Sequence, residues 1–311
     1  MTARFFPMLI ALLGLSILTG CASAPMQHRT LNTAEFTPVE LVNTPFFPQD
    51  AYQCGPAALA TVLVVSGVDD MTPDVLKPQV YLPEREGSLQ PELLGAARRA
   101  DRIPYPIQPQ LAALFTELEA GHPVLVLQNL GVQRWPRWHY AVVIGFDPQR
   151  EEVILRSGTT EREVMSLRRF EQTWQLGAYW GVVVTEPGQI PATAEPVRYL
   201  AAVSALEQQQ RFDTAIKGYE AALRRWPREY TPAFGLGNIA YQQGRYADAE
   251  MHYYHATELA AEEPVIYFNL AWALLRQGKR DEAMLAAEIA QMLAPDHDRY
   301  GNAVAVIESA D

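Results

Sequence analysis

Gln49-Asp50-Ala51-Tyr52-Gln53-Cys54-Gly55-Pro56-Ala57-Ala58 is the stretch from which the first half of this chain can be read. Gly55-Pro56 opens an apolar run, Ala57–Val65, that stops at Gly67. Proline suits the first turn of a helix, so the run predicts a helix that begins beside Cys54. The start of a helix offers unpaired amides and the positive end of its dipole, and both favour a thiolate, the reactive form of cysteine. Gly55 removes side-chain bulk next to the sulfur, which leaves room for an approaching carbonyl. Gln49, five residues upstream, is placed to donate its amide to an oxyanion, and Gln53 competes with it for that role.

A thiol nucleophile needs a base. His139 stands in Trp138-His139-Tyr140-Ala141-Val142-Val143-Ile144-Gly145-Phe146, at the mouth of an apolar run of β type. Cysteine first and histidine about 85 residues later, on a strand, is an order that suits Cys–His nucleophilic catalysis. Trp135 and Trp138 flank Pro136-Arg137 just ahead of the histidine and are expected to line a substrate groove together with Gly55. Further helices are predicted at 91–100 and 110–120, and β-type runs at 124–127, 140–146, 152–155 and 181–184. Helices followed by an antiparallel sheet make an α+β domain.

The Gln…Cys-Gly-Pro-Ala segment, the Gly121-His122-Pro123-Val124-Leu125-Val126 run and the His139–Gly145 strand together resemble the bacteriocin leader-processing (double-glycine peptidase-like) family of papain-like cysteine peptidases, over about 43–184. The resemblance implies Cys54 as nucleophile, His139 as general base and acid, and Gln49 as oxyanion donor. Members of that family usually carry an Asp after the histidine strand to orient the imidazole. Here the place reads Ile154-Leu155-Arg156-Ser157-Gly158, with Ser157 in it. Asp147, in the turn Phe146-Asp147-Pro148, is the nearest downstream carboxylate, so either Ser157 or Asp147 is left for the orienting role.

The chain opens with one positive charge in Met1–Arg4, an apolar run Phe5–Leu18, and Leu18-Thr19-Gly20-Cys21. That pattern describes a cleavable export signal, too short for a spanning helix. The last four residues resemble a bacterial lipobox, which implies cleavage before Cys21 and lipid on its sulfur. Ala22 rather than Asp after the cysteine points to outer-membrane anchoring in the periplasm. Lipid on Cys21 leaves Cys54 as a single free thiol. The family's leader peptidases usually face the cytosol, so an exported relative need not act on a double-glycine leader. A net charge of −11 argues against nucleic-acid binding. No metal or cofactor is called for: His252 and His255 share a helical spacing but lack a third ligand nearby.

The second half repeats. Gln210-Arg211-Phe212-Asp213, Gly244-Arg245-Tyr246-Ala247 and Gly278-Lys279-Arg280-Asp281 begin 34 residues apart, with Ala215, Ala249 and Ala283, then Ala222, Ala256 and Ala290, in step. A 34-residue helix-turn-helix period with small residues in these places resembles the tetratricopeptide repeat. The expected layout is a lipoprotein signal peptide (1–20), a lipidated tether (21–39), a papain-like peptidase domain (40–185), a Pro/Ala/Thr-rich linker (186–197) and an all-α domain of about three repeats (198–311). The expected function is thiol-dependent hydrolysis of a peptide or protein substrate, with a protein partner held by the repeats and the membrane held by the lipid anchor. Two rivals remain: a catalytically inactive peptide- or protein-binding module or scaffold on the same fold, and an amidase or transferase using the same pair.

Overall fold

The computed structural model describes residues 26–48 and 53–309. The signal peptide, Cys21 and Gln49 therefore lie outside the described residues.

A seven-stranded antiparallel sheet is built from β1 (Val39–Glu40), β2 (Ile103–Pro106), β3 (Val124–Asn129), β4 (Trp138–Asp147), β5 (Glu152–Ser157), β6 (Thr160–Ser166) and β7 (Gly181–Thr185). The strands lie in the order β2-β7-β3-β4-β5-β6, and β1 pairs with the far end of β4. Side chains alternate between the two faces of a strand, and both faces here are apolar. Leu125, Leu127, Tyr140, Val142 and Ile144 pack against α1 (Cys54–Val65), α2 (Pro73–Val80) and α3 (Gln90–Arg99). Val124, Val126, Ala141 and Val143 point the other way, to α4 (Leu111–Glu119) and α5 (Leu167–Leu176). In α1, Gly55 through Leu63 are all buried, which fits a helix that is apolar on every side. The expected strands and helices are present; β1, β2, β6, α2 and α5 were not anticipated.

Seven helices follow: α6 (Pro196–Gln208), α7 (Phe212–Arg225), α8 (Thr231–Gln242), α9 (Tyr246–Leu259), α10 (Pro264–Leu275), α11 (Arg280–Leu293) and α12 (Asp298–Ser309). The alanines in step at 215, 249 and 283, and at 222, 256 and 290, are all fully buried, as close helix approach demands. Glycine serves the same end at Gly235, where a Cβ would lie 2.4 Å from the Tyr219 ring.

The linker is no free hinge. Residues 186–195 carry no regular element, as their composition requires, but they are pinned to the sheet domain. The buried Glu117 carboxylate accepts hydrogen bonds from the Thr193 amide (2.7 Å), the Thr193 hydroxyl (2.6 Å) and the Ala192 amide (3.2 Å). Tyr105 Oη donates to the Thr193 carbonyl and accepts from the Glu195 amide. Beyond it, Tyr199, Val203 and Leu206 of α6 join one continuous core with Ile103, Tyr105 and Val183 of the sheet.

The tether is also shorter than expected. From Gln27 onward the segment belongs to the body: the buried Glu171 carboxylate on α5 accepts hydrogen bonds from the Gln27 and His28 amides, and His28 Nδ1 lies 2.5 Å from it. Phe36 then packs edge-on against Phe115 and Phe146.

A shared core predicts shared unfolding. Leu206→Ala, at a fully buried position on α6, is expected to cost ~2–5 kcal/mol. It should move the urea transitions of sheet and repeats together, followed by tryptophan fluorescence and far-UV circular dichroism; two separated transitions would contradict the single core.

Candidate functional site

Cys54 is the first residue of α1, one place earlier than the proline-based reading of the helix start. Among the described residues no side chain caps this helix, which leaves its first amides to other acceptors. The sulfur sits among backbone amides: those of Cys54 and Gly55, and that of Tyr140 on β4, each favour its thiolate. A helix start on one face of the sheet and the mouth of β4 thus meet at the thiol. His139 is the residue next to that Tyr140 amide.

The imidazole is held from its other side. His139 Nε2 lies 3.0 Å from Ser157 Oγ, on the neighbouring strand β5. Ser157 is therefore the group that the fold brings to the ring. Asp147 is not: it ends β4 at the opposite end from His139, where its carboxylate accepts from the Gln149 and Arg150 amides and shapes a turn. Among the described residues no hydrogen bond joins the Cys54 sulfur to the imidazole. Gln49 lies outside the described residues; Gln53 occupies the N-cap position without a capping side-chain bond.

Burial sets the electrostatics. It pushes the Cys54 thiol above its ordinary 9.0, with the Tyr140, Gly55 and Cys54 amides pulling the other way. Burial likewise pushes the His139 imidazole below 6.5; the nearby Glu163 charge opposes this and Arg137 adds to it. Both directions favour uncharged forms, so at neutral pH the site holds a thiol and a neutral imidazole.

Two further residues shape the site and had no sequence signal. A Cβ on Gly55 would stand 2.4 Å from Ser88 Oγ, so the loop before α3 closes directly over the start of α1. Among the described residues, Ser88 Oγ is buried without a hydrogen-bond partner, while its carbonyl accepts from Tyr140 Oη at 3.2 Å. Tyr140 acts at the sulfur through its main chain, which residue identity cannot disclose. Trp135 and Trp138 lie on the β3–β4 hairpin beside His139 and are largely exposed.

A model of the Peptidase_C39 like family matches residues 41–179, and two tetratricopeptide repeat models match 200–264 and 240–307. The chain thus joins a Peptidase_C39-like domain to tetratricopeptide repeats. A C39-like peptidase from Bacillus anthracis is similar at 20% identity, over 48% of this chain and 98% of its own, with a TM-score of 0.40. The Yersinia enterocolitica type III secretion chaperone SycD, solved with a peptide of the translocator YopD, is similar at 21% identity over 35% of this chain and 89% of its own, with a TM-score of 0.34. No curated protein matches the chain.

The Ser157 contact makes a directional prediction. In Ser157→Asp a carboxylate beside Nε2 should raise the His139 pKa relative to the parent, read from the imidazole resonances in an NMR titration. An unchanged titration would place Ser157 away from the ring in solution.

Proposed function

We propose that this chain is an envelope lipoprotein that hydrolyses peptide bonds with Cys54 and His139, and that its repeats hold a protein substrate or partner. The observation that carries the reading is the meeting at the thiol: Cys54 at a helix start, the Tyr140 amide at its sulfur, and His139 next to that amide with its ring anchored on Ser157. The Peptidase_C39-like match over the same residues supports it. With Nε2 turned to Ser157, Nδ1 is the nitrogen left to take the thiol proton. In the reaction Nδ1 accepts that proton as the sulfur attacks the scissile carbonyl and forms a C–S bond. As charge moves from sulfur to oxygen, the Cys54 and Gly55 amides that favour the thiolate turn to the oxyanion that develops, with Gln49 as the expected side-chain donor. Collapse of the tetrahedral species breaks the C–N bond, and the imidazolium returns the proton to the leaving amine. Water activated by the same imidazole then releases the acyl group and regenerates the thiol. Ser157 accepts from Nε2–H and fixes the tautomer, without a charge to stabilise the imidazolium.

The export signal and the Leu18-Thr19-Gly20-Cys21 sequence support a periplasmic, lipid-anchored site, and Ala22 supports the outer membrane. A second reading, an inactive peptidase-like binding module, is favoured by one observation: Ser157 in place of a carboxylate, which leaves the pair uncharged.

Iodoacetamide labelling of Cys54 across pH, in a chain that begins after Cys21, separates the two. An imidazole that draws the proton acts once it is neutral. Its pKa is lowered, so labelling should rise with a midpoint at or below 6.5 and stay high through pH 8. In His139→Ala the thiol titrates alone; burial raises it, so labelling should begin only near or above 9.0. Identical profiles for parent and variant would remove the Cys–His pair and leave the binding module.

A further inference from the structure

The hairpin between β3 and β4 leaves Leu130, Val132, Trp135 and Trp138 exposed at 41, 58, 69 and 56%, beside the mouth of the site. Such a run of large apolar side chains is uncommon on a soluble surface and calls for a partner. The hairpin is preformed. The Val132 and Trp135 main chains exchange hydrogen bonds at 3.2 and 3.0 Å, and the Leu130 amide donates to the Arg137 carbonyl at 2.8 Å. Asn129 Oδ1 accepts from the Gly131 and Arg137 amides, and a Cβ on Gly131 would lie 2.3 Å from the Trp135 carbonyl oxygen. Its charges are of one sign: Arg134, set over the Trp135 ring at 5.3 Å, and Arg137, with no carboxylate from Leu130 to Trp138 in a chain of net charge −11.

The start of the body lies at the same end of the sheet. Glu171 on α5 fixes Gln27 and His28. Two residues on, Thr173 Oγ1 accepts from Gln128 Nε2 at 2.7 Å, and Gln128 is the neighbour of His139 across the β3–β4 ladder. From Cys21 to Gln27 there are six Cα steps, which reach at most about 21 Å when fully extended. A lipid on Cys21 would hold this end of the sheet, hairpin included, at the bilayer surface.

We propose that the Leu130–Trp138 hairpin docks into the interface of an anionic bilayer, so that the Cys54 site opens on the membrane surface. Tryptophan rings favour the headgroup layer, arginines meet anionic phosphates there, and Leu and Val reach the acyl boundary. The inference rests on the lipid-anchor reading for its short tether, and on the hairpin's own composition for its contact.

The test holds the chain on vesicles without relying on natural lipidation. A hexahistidine tag in place of Cys21 attaches it to vesicles of phosphatidylcholine, phosphatidylglycerol and a nickel-chelating lipid. Hydroxyl-radical oxidation is then read residue by residue against the same chain in solution. Oxidation of Trp135 and Trp138 should fall several-fold on the vesicles, while Met251 and Met292, exposed on the repeats at 58 and 71%, stay unchanged. Trp135→Glu, at the most exposed position, should restore the oxidation of Trp138. Unprotected tryptophans, equal protection at Met251 and Met292, or protection by an unfolded protein added in solution but not by vesicles would each overturn the proposal; the last would return the hairpin to a substrate groove. The mass of the Cys21 peptide from protein taken from cell membranes tests the anchor separately: an unmodified Cys21 would remove the lipoprotein reading and leave the vesicle result to stand for the hairpin.

Discussion

β4 is the constraint on which the rest of the molecule depends, because it is packed on both faces and paired along both edges. Tyr140, Val142 and Ile144 take the α1 side, and Ala141 and Val143 the α4–α5 side. β5 lies along one edge, while β3 and β1 share the other, β3 along 138–143 and β1 at 145–146. The sharing works because residue 145 is glycine: a Cβ there would lie 2.4 Å from the Val39 carbonyl oxygen, and the β4–β5 register jumps at the same place. A slip of one residue would exchange the two buried sets, so the register is strongly fixed. Placement of the site follows from it. Tyr140 is the first buried residue of the strand, so His139 stands at the rim, and α1, seated on the Tyr140 face, brings Cys54 to the Tyr140 amide.

What the sequence made legible has a common physical basis. The helix at Cys54 was readable because Gly-Pro and an unbroken apolar run carry local instructions. The repeats were readable because close packing imposes small residues at a fixed period, and every one of the six alanines in step is buried. β2 was not legible, since Ile103-Pro104-Tyr105-Pro106 contains two prolines that argue against a strand. The segment escapes that rule by pairing with β7 alone, as an edge strand. β6 and α5 were missed because Thr160–Ser166 is polar and mostly exposed, and because half of α5 is polar. The packing of the tether was missed, and that of the linker was left open, for one reason. Both look polar and irregular, but single buried carboxylates, Glu171 and Glu117, gather their main-chain amides, and a long-range acceptor leaves no trace in the segment that it binds. In the site, Cys54 and His139 were legible as residue types, whereas the choice between Ser157 and Asp147 needed the strand pairing that places one beside the ring and the other at the far end of β4.

The uncharged state of the site bears on where such a thiol can persist. A thiolate is the form that oxidants attack, and compartments outside the cytosol tend to oxidise exposed thiols. A carboxylate behind His139 would favour the imidazolium and, through it, the thiolate, raising reactivity toward substrate and oxidant together. On the proposed mechanism, with Ser157 in that place and burial raising the thiol, charge separation would be deferred until a carbonyl is seated. Such a pair gives up ground-state nucleophilicity and gains a resting form that is slow to oxidise. The same logic gives the surroundings a role. Whatever covers the mouth of β4, substrate or bilayer, strips water from the pair and strengthens the amide dipoles aimed at the developing oxyanion. An enzyme built this way would turn over poorly on small soluble amides and respond to substrates large enough to bridge the hairpin and the start of α1. That requirement would give a mechanical reason for joining the sheet domain rigidly to a repeat array: a partner bound on the repeats would be presented at a fixed distance from the thiol, because α6 and the sheet share one core.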